Sequence, residues 1–288
     1  MAHQPDYRGR FAPSPTGPLH MGSLLAALAS YLDARSVAGT WLLRIEDIDP
    51  PREVPGAADS MLRSLEAHGL LWDESVLFQS TRLKEYSATL ADLDAVDRVF
   101  ACCCTRATLG PSGSCMGRCR PRPDEATSLR IKLDGDTGFD DQILGPQQPP
   151  NAQSDLVLRR KDRLYAYALA VVVDDAWQGI NYVVRGSDLL SQTFAQLEIF
   201  THLGFQLPKY AHLPLVRDSK GVKLSKQTGA RAIHDASAVD NLRDALRLLQ
   251  QKSANMPAGS AIELLSLATE QWLPEALADH PEKSLVYP

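Results

Sequence analysis

Tyr7-Arg8-Gly9-Arg10-Phe11-Ala12-Pro13-Ser14-Pro15-Thr16-Gly17-Pro18-Leu19-His20-Met21-Gly22-Ser23 opens the first regular unit of the chain. Tyr7 to Ala12 reads as a short strand and Pro13 to Pro18 as a turn-rich loop. Ser23 to Arg35 has helical spacing, with Leu24, Leu28 and Leu32, joined by Leu25 and Tyr31, on one apolar face. Trp41 to Ile45 is the next strand. Strand, loop, helix, strand begins a parallel, doubly wound α/β sheet, whose ligands bind beyond the carboxyl ends of the strands.

The same pattern extends outward. A second helix is expected from about Ala57 to His68, with Met61, Leu62 and Leu65 inward and Gly69 as its stop signal. From Phe100 to about Pro150 periodicity fades into cysteine, glycine, proline and aspartate, the composition of an insertion. Regular α/β pattern resumes with Leu164 to Val173 and Ile180 to Val184, then a helix from Asp188 to Leu203 ended by Gly204. The apolar stretch His212 to Val216 leads into a lysine-bearing loop, and the remainder is helical around Leu242, Leu246 and Leu249. The expected division is 1–99 and 161–230 as two halves of one catalytic domain, 100–160 as an insertion, and 231–288 as a helical tail.

With 288 residues, 44% hydrophobic and 23% charged, the chain can bury a large core. Its net charge of -5 argues against a generally basic nucleic-acid coat but leaves room for local patches. The sequence has no apolar run of membrane-spanning length and no secretory pattern at its amino terminus. A cytoplasmic monomer with no membrane partner is the expectation.

Two short motifs carry chemistry. In the first, Gly17 and Gly22 let backbone approach a ligand, and the following helix points free N–H groups at it, a setting suited to a nucleotide phosphate. His20 is placed to donate to the α-phosphate as negative charge builds there. In the second, Lys223 and Lys226 flank Ser225 within Gly221 to Gly229, a loop able to close ammonium groups over ATP. Alone, the first is also compatible with a plain strand-to-helix turn and the second with a solvated surface turn. Their order and pairing favour phosphate chemistry.

All five cysteines lie between Cys102 and Cys119. Cys102, Cys104, Cys115 and Cys119 give C-x-C-x10-C-x3-C, two close pairs able to surround Zn2+ tetrahedrally in a closed structural site. Cys103 leaves other pairings open, and a cluster of redox-active thiols is the alternative. Asp134 to Gly138 reads as a turn, because it lacks the downstream acid of a calcium loop. His3, His68, His202, His234 and His280 read as surface or helix-end residues, and His212 as structural.

Arg10 to Ser23 resembles the amino-terminal signature of glutamyl-tRNA synthetases, class I enzymes, and Leu43-Arg44-Ile45-Glu46-Asp47-Ile48-Asp49 is similar to the motif that follows it there. Asp49-Pro50-Pro51-Arg52-Glu53, Lys223-Leu224-Ser225-Lys226-Gln227 and the short length are more similar to the truncated glutamyl-queuosine tRNA(Asp) synthetase family. The resemblance runs from about residue 8 to about residue 230. Ser23 departs from the second histidine of many class I enzymes, although the glutamyl branch often has a small residue there.

This resemblance implies a Rossmann-type class I catalytic domain with a zinc-containing insertion and a short helical carboxyl-terminal segment. It implies that Arg10, Phe11, Ala12, Pro13 and Ser14 line a glutamate pocket, with Arg10 on the side-chain carboxylate, Glu46 on the α-amino group, and Tyr167 and Arg185 completing it. His20, Gly22, Lys223, Ser225 and Lys226 would handle ATP, with Mg2+ accompanying the nucleotide. The implied partners are ATP, L-glutamate and tRNA(Asp) bearing queuosine. The rival expectations are a minimal enzyme charging a tRNA 3' end, a non-catalytic zinc-stapled tRNA-binding module, and a small-molecule adenylyltransferase.

Overall fold

In the computed structural model the described residues are 6–111, 113–149, 154–218, 232–277 and 285–287. The chain runs β1 (Arg8–Phe11), α1 (Met21–Arg35), β2 (Thr40–Ile45), α2 (Ala57–Ala67), β3 (Leu77–Phe78), α3 (Leu83–Ala95) and β4 (Val99–Cys102). It continues through α4 (Arg106–Leu109), β5 (Ser128–Leu133), β6 (Phe139–Asp141), β7 (Gly145–Gln147), β8 (Ser154–Arg159) and α5 (Tyr167–Trp177). Last come β9 (Tyr182–Gly186), α6 (Leu190–His202), β10 (Lys209–Leu213), β11 (Val216–Asp218), α7 (Ala238–Leu248), α8 (Ala261–Glu270) and β12 (Leu285–Tyr287).

β1, β2 and β3 pair in parallel, as do β9 and β10. The seam between these groups lies where the Asn181 N–H donates to the Arg8 carbonyl at 3.1 Å and Tyr7 stacks on Tyr182 at 4.2 Å. The carboxyl ends of β1 and β9 therefore lie side by side, the place where a doubly wound sheet opens a binding crevice.

Helix α1 begins at Met21 rather than Ser23, because the His20 side chain caps it by accepting the Ser23 N–H. Its Leu24, Leu28 and Leu32 are fully buried in one cluster with Leu242, Leu246 and Leu249 and with Leu264 and Leu265. At roughly 1.5–3 kcal/mol for each fully buried leucine, the tail helices α7 and α8 contribute to the main core. Trp272 reinforces this by donating to Asp33 at 2.9 Å. A second cluster packs Tyr86, Leu90 and Leu93 of α3 against α5 and α6. Gly69 and Gly204, at φ +73 and +66, follow α2 and α6 in the left-handed conformation that ends a helix.

The stretch from Phe100 to Pro150 holds more regular structure than its composition indicates. β4, β5 and β8 form a separate antiparallel sheet carrying the cysteines, whereas β6 pairs in parallel with β10. Residues 139–147 thus belong with the main sheet and not with the insertion. Their signal is faint because β6 and β7 are only 3 residues long each. His68 is a helix-end residue, capping the carboxyl end of α2, but a buried one, bonding the Ser64 carbonyl through Nδ1 and Asn241 through Nε2.

Candidate active site

The loop between β1 and α1 is stitched to the end of β2. The Glu46 N–H donates to the Pro13 carbonyl at 3.0 Å and the Val54 N–H to the Pro15 carbonyl at 2.9 Å. Gly17 turns the loop at φ +137, a conformation closed to other L-residues. His20 Nδ1 accepts the Ser23 N–H at 3.2 Å, so in the neutral ring the proton sits on Nε2, 3.0 Å from the Ser23 hydroxyl. That tautomer presents an N–H donor at the amino end of α1, where Gly22 forms part of the first turn. Lys223, Ser225 and Lys226 lie outside the described residues. Ala232, just beyond that segment, forms a β-bridge with His20, and the Ile233 N–H donates to the Leu19 carbonyl at 3.0 Å. Ala232 and Ile233 are thereby held against the histidine loop.

Behind this loop lies a floor of buried charge. Arg10 donates to Asp175 through Nε at 3.0 Å and Nη2 at 3.4 Å, and Arg44 donates to the same carboxylate at 2.5 Å. Burial alone would raise the Asp175 pKa, but the two guanidiniums hold it below the usual carboxylate range. Much of the Arg10 fork is thereby occupied from within the protein. Glu46, 8% exposed, accepts from Ser14 at 3.3 Å, and its buried Oε1 has no hydrogen-bond partner among the described residues. Burial pushes this carboxyl up to about 7 against the pull of Arg44 and Arg10. Its unpaired oxygen is suited to receive an ammonium group.

Arg185, at the carboxyl end of β9, donates to Tyr167 Oη at 3.1 Å, Thr193 Oγ1 at 2.7 Å, Gln196 Oε1 at 2.7 Å and His212 Nε2 at 3.2 Å. None of these acceptors is a carboxylate. Tyr167 feels the charges of Arg185, Glu46, Arg10 and Asp175, so these side chains converge on one phenol, whose pKa is raised chiefly by burial. Arg10 and Arg44 thus share the buried carboxylate of Asp175 with Glu46 beside them, whereas Arg185 touches no carboxylate directly among the described residues and meets Asp141 only through His212. Phe11 stands apart, because its side chain stacks on Trp41 in the core around α1. Ala12 and Pro13 contribute the backbone between Arg10 and Ser14.

The sequence reading missed Arg44, Asp175, Asp141, Thr193 and Gln196, and took His212 as structural. A signal was present in Asp174 and Asp175, two acids inside an otherwise apolar helix, since buried carboxylates require cationic or hydrogen-bonding partners.

The Sγ atoms of Cys102, Cys104, Cys115 and Cys119 all lie within 4.8 Å of one another. Cys104 and Cys115 are 3.7 Å apart, and Cys115 and Cys119 are 3.4 Å apart. A tetrahedral Zn–S4 site needs sulfurs about 3.8 Å apart, so the donor set fits zinc. Cys103 is outside the quartet, and its carbonyl accepts from Lys161 at 2.6 Å. Asp155 orders the second pair, accepting from the Ser114 hydroxyl and the Met116 N–H at 2.6 Å each while paired to Arg130.

The family model described as the catalytic domain of class I tRNA synthetases for E and Q matches residues 6–111 and 117–257. The chain is 46% identical over 297 residues to the glutamyl-Q tRNA(Asp) synthetase of Dechloromonas aromatica, covering 97% of each protein. It is 47% identical over 283 residues to the one from Chromobacterium violaceum, covering 92% of this chain and 93% of that protein. A crystal structure of glutamate-tRNA synthetase from Elizabethkingia anophelis superposes with a TM-score of 0.81 at 23% identity, covering 98% of this chain and 68% of that one. The last is a likeness of fold. Paired signatures, a charged floor between β1 and β9, and relatives alike over nearly the whole length have one common source: the chain belongs to the glutamyl-Q tRNA(Asp) synthetase family of class I tRNA synthetases.

Proposed function

We propose that the chain joins glutamate to ATP as glutamyl-adenylate and transfers the glutamyl group to queuosine at the wobble position of tRNA(Asp). The observation that carries the glutamate step is Arg185, 5% exposed and held by four acceptors of which none is a carboxylate. A buried guanidinium without an acid is costly, and a ligand carboxylate supplies the missing charge. The side chain of glutamate supplies such a carboxylate in direct contact with Arg185; the neutral amide of glutamine does not. The acceptor nucleoside is carried by the family alone.

In the first step an oxygen of the glutamate α-carboxylate attacks the α-phosphorus, and the bond to pyrophosphate breaks. Arg10, Tyr167 and Arg185 hold the side chain, and Glu46 takes the ammonium, so the nucleophile is oriented before reaction. The His20 Nε2–H and Lys226 stabilise charge on the phosphates, Lys223, Ser225 and Gly22 complete the nucleotide site, and Mg2+ accompanies ATP. In the second step a queuosine hydroxyl attacks the adenylate carbonyl and AMP leaves. The two halves of the catalytic domain supply this chemistry, with the cysteine-bearing insertion beside them.

The four cysteines hold structural Zn2+. Cys119→Ser is expected to reduce bound zinc from about one equivalent to below about a tenth and to lower the melting temperature, read by atomic absorption and calorimetry. Unchanged zinc content would remove the site. The glutamate step is tested by ATP–pyrophosphate exchange across amino acids. Exchange with glutamate and not with glutamine or aspartate is expected, and exchange indifferent to the amino acid would overturn the reading.

A further inference from the structure

One of the four acceptors of Arg185, His212, is titratable. His212 lies on β10 and is completely buried. Its Nδ1 is 2.6 Å from Asp141 Oδ2. Asp141, on β6, also accepts the backbone N–H groups of His212, Ile143 and Leu144. A carboxylate surrounded by donors acts as an acceptor, so Nδ1 carries the imidazole proton. On the other side of the ring Nε2 faces Arg185 Nε at 3.2 Å. A guanidinium nitrogen only donates, so Nε2 presents its lone pair. Asp141, which only accepts, and Arg185, which only donates, thus assign both nitrogens, and the Thr193 hydroxyl 3.1 Å from Nε2 can donate to the same lone pair.

We infer that His212, fixed by Asp141 in its neutral Nδ1–H form, is a positioning residue for Arg185 and that this form is a condition for glutamate to bind. The inference rests on the glutamate reading given above. Protonation of Nε2 would set donor against donor and place two positive charges at hydrogen-bond distance, so Arg185 would leave its acceptors and lose its aim.

The surroundings favour the neutral ring. Burial first, and Arg185 second to the opposing pull of Asp141, hold the imidazole below its ordinary range. The charged or titratable neighbours are Asp141 from β6, Arg185 from β9, Asp188 from the turn after it, and Tyr210 on β10 itself, stacked at 5.8 Å. Tyr167 of α5 is reached through Arg185, while Thr193 of α6, 3.1 Å from Nε2, is neutral. At neutral pH the ring is uncharged and Arg185 is placed; when acid charges the ring, at a pH below the ordinary imidazole range, placement is lost. Glu46 loses its own charge as pH falls through about 7, so two protonations oppose glutamate binding in acid.

The test uses the full-length, zinc-loaded protein. Nitrogen-edited NMR of the imidazoles, with the His212 signal assigned by its absence from His212→Gln, is expected to show a protonated Nδ1 and a bare Nε2 at neutral pH. Glutamate-dependent exchange is then followed from about pH 5.5 to 8, where log kcat/KM reports essential protonations of the free enzyme. Wild type is expected to steepen toward a slope of two in acid. His212→Gln, which keeps a neutral acceptor, is expected to stay near a slope of one and within about threefold of wild type at pH 8. His212→Phe should raise the glutamate KM by more than about tenfold with kcat little changed, a split that general loss of structure does not give. Exchange in wild type with an Nε2–H imidazole, or identical slopes in wild type and His212→Gln, overturns this inference alone. Wild type without glutamate-dependent exchange overturns the functional reading and this consequence together.

Discussion

Glu46→Gln is expected to abolish most glutamate activation while making the protein more stable above neutral pH. The Glu46 carboxyl has its pKa raised from 4.5 to about 7, mainly by burial. A carboxyl raised in this way holds a proton in the folded state that it has lost in the unfolded chain between those values. Its penalty on folding is therefore absent below the unfolded pKa, grows as pH rises, and is complete above about 7. The shift corresponds to at most about 3 kcal/mol at pH 8. Glutamine removes that penalty but brings two N–H groups needing acceptors, so the gain falls below this ceiling. The same substitution leaves the ligand ammonium without a counter-charge, which at a buried site costs about 3–5 kcal/mol, or roughly 10²–10⁴-fold in kcat/KM. Denaturation at pH 5 and pH 8, with glutamate-dependent exchange, measures both effects. Destabilisation at pH 8 together with normal exchange would show that Glu46 is a structural acid.

Asp175→Ala carries the largest expected loss of stability. It leaves Arg10 and Arg44, 3% and 0% exposed, facing each other without their shared carboxylate, and Arg44 Nε already lacks a partner. Breaking one side of a buried pair costs about 3–5 kcal/mol, and here two cations depend on one acid. The midpoint of urea unfolding should fall accordingly. Arg44→Leu combined with Asp175→Ala should recover part of the loss, because the second change removes one stranded charge. An Asp175→Ala protein within about 1 kcal/mol of wild type would mean that solvent reaches this floor and that Arg10 and Arg44 need no internal anion.

The readability of this chain followed the length scale of each feature. β1, α1 and β2 lie within two residues of their expected limits, since apolar periodicity and glycine stops are local. The antiparallel sheet around the cysteines was obscured because its strands alternate with glycine- and proline-rich turns. β6 was lost because three residues carry no periodicity. The cysteine quartet is legible as spacing, but the exclusion of Cys103 depends on how β4 meets the loop held by Asp155. Arg10 and Arg185 are nameable from family motifs. Their difference is not, because it lies in partners distant along the chain: Asp175 satisfies much of Arg10, whereas the partners of Arg185 among the described residues are the uncharged Tyr167, Thr193, Gln196 and His212 and the Tyr210 ring beneath it. That difference is the ground on which the proposed function gives Arg185 the ligand carboxylate.

The most direct measurement is transfer of labelled glutamate from ATP-activated enzyme to purified tRNA(Asp), compared between tRNA containing queuosine and the same tRNA with unmodified guanosine at the wobble position. The account predicts label only on the queuosine-containing tRNA, retained in the anticodon fragment after nuclease cleavage. Label at the 3' end, or equal labelling of both tRNAs, would contradict it.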